Sequence, residues 1–336
     1  MAAIEGGTRE RTAERGREAE LSFATRAAWL SYIGGYKQEE IAERLGVSRV
    51  KVNRLIALAH RESLIRVFVE GSPAECVALE DSIAAAYGLD FCIVAPSLGE
   101  DDLPLRSLGI AGARYLHKTL ERSDLRVVGV GHGRTLAEVV ESLPRLPRAD
   151  VKFVSLLGSL TRNAAANPFD VIHRLAAKTG GESYFMPVPF FADSLDDKRI
   201  LLAQQSVRDV FVLARSAELF LVGVGEVGPK AHMLETGMIT KAEFADLKRA
   251  GAVGEILGHF VDAAGRPVEA ELNQRSLGLR IEDLKDKQVV AIAGGRGKAR
   301  AVDAVLRSNV VRGLIIDEAT AQRLAGKTGG KRAAAE

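Results

Sequence analysis

Two stretches of this chain end an apolar run in a cluster of glycines and continue with hydroxyl, guanidinium or ammonium groups. Val128-Gly129-Val130-Gly131-His132-Gly133-Arg134-Thr135 is the first, and Ala291-Ile292-Ala293-Gly294-Gly295-Arg296-Gly297-Lys298 is the second. A strand that turns into a helix through glycine leaves backbone N–H groups open at the helix start, where an anion or a polyol can be held. In the first loop Gly131, His132, Gly133, Arg134 and Thr135 are therefore candidate ligand contacts; in the second, Gly294, Gly295 and Lys298. Lys298 stands where the helix dipole disfavours a cation, so it is either an exposed lysine or one held there by an anion. Gly223-Val224-Gly225-Glu226-Val227-Gly228 is a third such loop and adds Glu226.

The segments between these loops are rich in groups that pair with hydroxyls. Gly158, Asn163 and Asn167 follow one apolar run, and Phe190 and Asp193 follow the next. Amide, carboxylate and aromatic groups together suit a hydroxyl-rich ligand, whose many O–H groups need paired donors and acceptors. A nicotinamide reading of the first loop is weak, because residues 151–158 end without the acid that would bind the ribose.

A different chemistry is written near the start of the chain. Residues 36–59, YKQEEIAERLGVSRVKVNRLIALA, form two short helical patterns around Gly46-Val47-Ser48. Ile41, Ala42 and Leu45 share one face of the first, and Val52, Leu55 and Ile56 one face of the second. Gly46 suits a positive φ at the first helix's end, and Ser48 can cap the next. The outward set is Lys37, Gln38, Ser48, Arg49, Lys51, Asn53 and Arg54, with Val50 and Ala57 beside them: a helix-turn-helix offering cationic and amide groups to a DNA groove. An earlier helix over 24–34 supplies Ala27, Trp29, Leu30 and Ile33 as a third wall, and 65–69 suits a short wing strand. From Arg44 to Arg66 six Lys or Arg face one acid, whereas residues 71–336 hold equal numbers of each, so the whole formal charge of +2 lies in this head.

The remaining bounds are broad. A chain of 336 residues, 47% hydrophobic and 27% charged, predicts two or three domains with ample core. Cys76 and Cys92 form no CxxC pair and join no Cys/His cluster, so buried free thiols are expected, with no metal site and no cofactor. A signal sequence and a bilayer-length apolar run are both lacking, which predicts a cytoplasmic protein. Both ends read as disordered tails, 1–20 and 326–336. A helix over 73–87 reads as a linker. Beyond it, apolar runs at 91–95, 126–131, 151–157, 183–188, 218–225, 288–293 and 312–316 alternate with helical patterns at 103–120, 135–143, 168–179, 197–215, 241–250, 298–307 and 317–324. That alternation predicts a mostly parallel, Rossmann-like α/β sheet whose ligand sits beyond the carboxyl ends of the strands.

These motifs in this order, with RAAWLSYIGGYKQEEIAERLGVSRVKVNRLI, VGVGHGRTLAEVVESL, VSLLGSLTRN, ANPFDVIHRLAAKTG, MPVPFFAD, LVGVGEVG, VGEILGHFVDAAG and AIAGGRGKARAVDAVLRS, resemble the SorC family of DeoR-like sugar-binding transcriptional regulators from Arg26 to Leu324. The resemblance implies an α + α/β chain: a winged helix-turn-helix over 21–70, a linker helix over 71–90, and an effector-binding and oligomerisation domain over 91–325 similar in fold to sugar-phosphate isomerases. It implies a repressor that meets palindromic operator DNA as a homodimer or homotetramer and answers to a sugar, polyol or sugar phosphate. Carried over by motif, Gly133, Arg134, Thr135, Asn163, Asp193, Glu226, Glu255 and Lys298 surround the effector. HGRT, LTRNAAANP and MPVPFF resemble the branch that represses erythritol catabolism. An isomerase- or deaminase-like enzyme is the alternative. The related deaminases carry Asp-Gly-His in the third glycine loop, where this chain has Glu226-Val227-Gly228, leaving only His173, His232 and His259 for proton transfer.

Overall fold

The structure is a computed structural model; it describes residues 16–62, 64–65, 73–100, 103–158, 171–228 and 231–332. The chain divides into two compact units, Met1–Val69 and Glu70–Glu336.

In the first unit, α1 (16–28) runs into a π-helical turn, Trp29–Ile33, and is followed by α2 (Gln38–Leu45) and α3 (Arg49–Arg61). Ile41, Val52 and Leu55 are buried together with Ala24, Ala27, Ala28 and Ala59. Burial of each large apolar side chain contributes about 1.5–3 kcal/mol. Gly46 closes α2 at φ 63°, its N–H donating to the carbonyls of Ala42 and Glu43, and Ser48 Oγ accepts the N–H of Lys51 at 3.3 Å to start α3. The third wall differs from expectation. Trp29 and Ile33 are 65% and 69% exposed, because at 3.6 residues per turn both lie on the side of the helix opposite Ala24, Ala27 and Ala28; a π turn (Gly34 N–H to Trp29 O, 3.0 Å) closes the helix there. The wing expected at 65–69 falls on residues 66–69, outside the described residues.

The second unit opens with α4 (Ala74–Tyr87), whose Cys76 and Ile83 are buried in that unit's own core, so the helix read as a linker is part of the unit's packing. Strands and helices then alternate: β1 (Phe91–Ala95), α5 (Leu105–Leu120), β2 (Val127–Val130), α6 (Arg134–Ser142), β3 (Lys152–Ser155), α7 (Ile172–Thr179), β4 (Glu182–Tyr184), α8 (Leu195–Ala203), α9 (Gln205–Arg215), β5 (Leu219–Val222), β6 (Gly225–Glu226), α10 (His232–Glu235), α11 (Lys241–Arg249), β7 (Gly254–Ile256), β8 (His259–Val261), α12 (Glu271–Arg275), β9 (Val289–Ala293), α13 (Ala299–Arg307), β10 (Gly313–Asp317) and α14 (Glu318–Arg332). Seven strands form one parallel sheet in the order β1-β10-β9-β5-β2-β3-β4. Side chains alternate across it. Val154, Phe220, Val222, Leu314 and Ile316 join a core with α4, α9 and α13, while Ile292 meets α5 at Gly112, where α6 also packs through Val139. The chain is thus α + α/β, as expected.

Three local expectations are corrected. The helix read over 197–215 breaks at Gln204 (φ −68°, ψ 137°) into α8 and α9; α9 buries Val207, Phe211 and Ala214 while α8 buries nothing fully, so one straight helix could not serve both. The strand read over 183–188 stops at Tyr184, ahead of Pro187 and Pro189, which have no N–H for a ladder. The tail read from 326 continues as helix to Arg332, and residues 16–20 are helical as well.

A second, three-stranded antiparallel sheet, β6-β7-β8, was not anticipated. Its β7–β8 turn is Leu257-Gly258, both at positive φ (50° and 82°), the hairpin geometry usually signalled by Asn-Gly or Asp-Gly. Leucine there gives no such signal.

Candidate functional site

After β2 the chain moves outward to β3 and β4, then returns to β5 on the other side of β2. The strand order therefore reverses between β2 and β5, where parallel sheets leave a crevice at their carboxyl ends. Gly131 N–H bridges it, donating to Leu221 O at 2.8 Å. A cavity of about 110 Å³ lies there. The turn from β2 into α6 (Gly131 to Thr135), the turn after β5 (Gly223 to Glu226), Lys298, Phe190 and Leu157 all line it. So do Glu255 and Leu257 from the unanticipated hairpin and His232, Met233 and Met238 from α10 and the turn after it.

The charged groups interlock. Lys298 is half-buried, and its Nζ donates to Val224 O at 2.8 Å, so it is the inward lysine rather than the exposed one. Burial lowers its pKa; Glu226 and Glu255 oppose that fall, and Arg134 adds to it. Glu255 is buried at 7% exposure, in the space that Gly225 leaves by having no Cβ. Its Oε1 accepts the Gly258 N–H at 2.5 Å. Desolvation pushes its pKa up to about 7, against the pull of the Gly258 and Gly225 N–H groups and of Lys298. His232 is shifted down by burial and by the positive charges of Arg134 and Lys298. His132 has its orientation fixed from behind: Ser155 Oγ donates to Leu157 O (2.7 Å), so the same oxygen must accept from His132 Nε2 at 2.9 Å. The set holds two cations, two carboxylates, two imidazoles and apolar walls, suited to a small hydroxylated ligand.

Of the residues singled out from the sequence, Gly131, His132, Gly133, Arg134, Thr135, Phe190, Glu226, Glu255 and Lys298 line this one cavity. Asn163 and Asn167 lie outside the described residues. Four others stand away from it. Gly158 presses on the backbone of Val188 and Pro189, where any side chain would collide with their carbonyls, so its glycine is explained by packing. Asp193 is exposed, and its backbone carbonyl accepts from Arg275 Nη1 at 3.3 Å. Gly294 and Gly295 do not offer their loop to a ligand, because the Asp317 carboxylate fills it, accepting the Gly295 N–H at 2.8 Å. Met233 and Met238 were missed and His232 was named only as an acid–base alternative: a short helix between loops carries no periodicity, and a lone histidine there reads as structural. The two other candidate histidines sit elsewhere: His259 has Nε2 on Leu279 O at 3.1 Å, and His173 neighbours the Phe185 ring. No cluster of three or more metal-ligating side chains occurs among the described residues, and no helix described is long and apolar enough to cross a membrane.

In the first unit Lys37, Ser48, Arg49, Lys51, Asn53 and Arg54 are exposed and Gln38 partly so, with Val50 at 63% exposure among them. Arg49 ties α3 to α2, donating to Glu39 Oε1 at 3.0 Å and Gln38 Oε1 at 3.4 Å. Lys51, Asn53 and Arg54 make no such tie among the described contacts, leaving an outward face of two cations and an amide along α3.

The sequence profile of the Sugar-bind family, a sugar-binding domain, matches residues 72–325. The erythritol catabolism regulatory protein EryD of Brucella abortus is 46% identical over 314 residues, covering 94% of this chain and 99% of that protein. The transcriptional regulator LsrR of Klebsiella pneumoniae is 33% identical over 309 residues, covering 90% and 93%. Among solved structures, the full-length sorbitol operon regulator SorC of Klebsiella pneumoniae superposes with a TM-score of 0.67 at 22% identity, covering 91% of this chain and 99% of that one.

Proposed function

The chain belongs to the SorC family of sugar-binding transcriptional regulators, and from that premise we propose that it is a cytoplasmic DNA-binding repressor of a polyol or carbohydrate catabolic operon. A small sugar, polyol or sugar phosphate occupies the cavity between β2 and β5 and sets its affinity for DNA. The observation that carries the reading is the cavity itself: polar groups converge at a sheet's switch point in a chain that also holds a helix-turn-helix with a cationic outer face. In the same proposal α3 enters the major groove through Lys51, Asn53 and Arg54, with Lys37, Gln38, Ser48 and Arg49 on the phosphates. A palindromic operator and an even-numbered homo-oligomer follow if two heads read half-sites related by a two-fold axis. Gly131, His132, Gly133, Arg134, Thr135, Phe190, Glu226, Glu255 and Lys298 hold the effector, and residues 21–70 and 91–325 are the two working domains.

Regulation needs no chemistry at the cavity. An effector that prefers one arrangement of the protein changes operator affinity by the ratio of its affinities for the two arrangements, and DNA changes effector affinity by the same factor. The test is a mobility shift of the full chain on the DNA upstream of its own gene, with and without erythritol, erythritol phosphate and control sugars. Saturable weakening of the shifted complex, with the effector recovered unchanged, is expected. Turnover of the effector at a physiological rate would replace the regulator by an enzyme.

A further inference from the structure

Glu255 is the buried carboxylate of the cavity, and its surroundings bear on what the cavity accepts. The carboxylate accepts the backbone N–H of Gly258, which leaves most of the roughly four lone-pair positions it offers. From β6 comes Glu226; from the turn before α13 comes Lys298, already donating to Val224 O. From α6 and α10 come Arg134 and His232, both lining the same space, and from the β2–α6 turn His132. The α13 face against β7 is Ala301 and Val305, while Asp303 of that helix is turned to Tyr87 and Arg307. His259 on β8 is turned to Leu279.

Among the described lining residues the charges therefore sum to zero when both carboxylates are ionised, Arg134 and Lys298 against Glu226 and Glu255. A cavity balanced in this way gives little net attraction to a phosphate dianion, and it gives a polyol what a polyol needs: a desolvated acceptor for a hydroxyl.

Resting on the reading that this cavity is the effector site, we propose that the effector is an uncharged polyol, that one of its hydroxyls donates to ionised Glu255, and that binding expels the proton Glu255 otherwise carries. The free protein near neutrality is a mixture of the acid and the carboxylate; the acid has a proton where the hydroxyl must come. Binding selects the carboxylate and releases the proton to solvent. The sign depends on ligand charge. A phosphate ester would favour the protonated acid, so its binding would take a proton up.

Isothermal titration of the full chain with erythritol, repeated in buffers of different ionisation heat between pH 6 and pH 8, reads the proton directly. With Glu255 titrating at about 7, affinity should rise about tenfold from pH 6 to pH 8, with about half a proton released at pH 7. Glu255→Gln should abolish both the pH dependence and the release, and should weaken binding at pH 8. Proton uptake, a pH-flat affinity, or tighter binding of erythritol phosphate than of erythritol above pH 7 would overturn this proposal and leave the effector site standing. Failure of every polyol and polyol phosphate to bind the full chain would remove both together.

Discussion

The turn after β2 and the turn after β9 differ in what takes their backbone N–H groups. Each leads from a buried strand through glycine into a helix. After β2, α6 starts with no side-chain cap, and its first turn, Gly133 to Thr135, borders the cavity. After β9, the loop is plugged from within: Asp317 Oδ1 accepts from Gly295 N–H at 2.8 Å and Thr320 Oγ1 at 2.7 Å, while Oδ2 accepts the Thr320 N–H at 3.0 Å and starts α14. Only Lys298 leaves that turn for the cavity. A glycine-rich turn thus marks where backbone donors are exposed, and the neighbouring strand decides whether the protein or a ligand satisfies them.

The sharpest way to break this contrast is to remove one partner from each loop. Asp317→Ala strands the Thr320 N–H and hydroxyl in the interior, leaves the Gly295 N–H only Thr320 Oγ1, and removes a helix cap; at about 1–3 kcal/mol per buried unsatisfied donor, the loss should be roughly 3–5 kcal/mol in urea unfolding. Arg134→Ala, at an exposed position in the open loop, should stay within about 0.5 kcal/mol. Equal losses would mean that the two loops serve the fold alike.

Two titratable groups of the interior, the Glu255 carboxyl and the His259 imidazole, sharpen it further. Glu255, beneath the open loop, has a pKa raised to about 7 from the ordinary 4.5, so the folded state binds more protons than the unfolded chain between those values, and stability from this group falls as pH rises through that window. His259, half-buried and with its pKa lowered by desolvation to about 4 from 6.5, binds fewer protons when folded, so its contribution rises with pH over 4 to 6.5. Each amounts to roughly 3 kcal/mol, and between about pH 4.5 and 6.5 they oppose each other. Wild-type unfolding free energy should be nearly flat in that range from these two groups. Glu255→Gln should tilt it upward with pH, and His259→Leu downward; identical slopes in the two variants would show that the buried charges are not the source.

How much of this was legible follows from the same residues. Six of the seven strands of the parallel sheet show as apolar runs because both faces of such a sheet are buried; the edge strand β4, exposed to half-buried, is not apolar, and most of the run read at 183–188 lies beyond it. The helix-turn-helix shows because Ile41, Val52, Leu55 and Gly46 leave few alternatives. The cavity was legible only where glycine marks an open turn, at 131–135 and 223–228. Glu255 could not be placed from spacing, since its hairpin turns on Leu257 at positive φ; only the family likeness pointed to it. Gly294 and Gly295 misled because their partner, Asp317, arrives from the next strand, and no local pattern announces a contact made by β10. The exposure of Trp29 and Ile33 was legible from spacing, since 3.6 residues per turn sets both opposite Ala24, Ala27 and Ala28.

The open loop also predicts a smaller, functional effect. Removing Arg134 and Lys298 together takes both cations from the cavity. Charge-assisted hydrogen bonds contribute about 1.5–3 kcal/mol, so effector affinity in titration should fall by at least about tenfold while operator affinity without effector is unchanged. A normal effector response in the double variant would place the effector elsewhere.

The head repeats the contrast on α3. One of its N-terminal donors is not open to a phosphate in the way those of α6 are open to the cavity, because Ser48 Oγ already takes the Lys51 N–H. In the proposed docking, bases are read by side chains along the helix while its end serves the phosphates. Ser48→Ala should cost about 1 kcal/mol of head stability through the lost cap. Arg54→Ala should leave stability unchanged and weaken operator binding by about 1–3 kcal/mol if it reads a base. If it holds only a phosphate, the loss should be smaller, equal for operator and random duplex, and should lower the slope of log affinity against log salt by about one. An unaltered operator shift in Arg54→Ala would remove α3 from the groove.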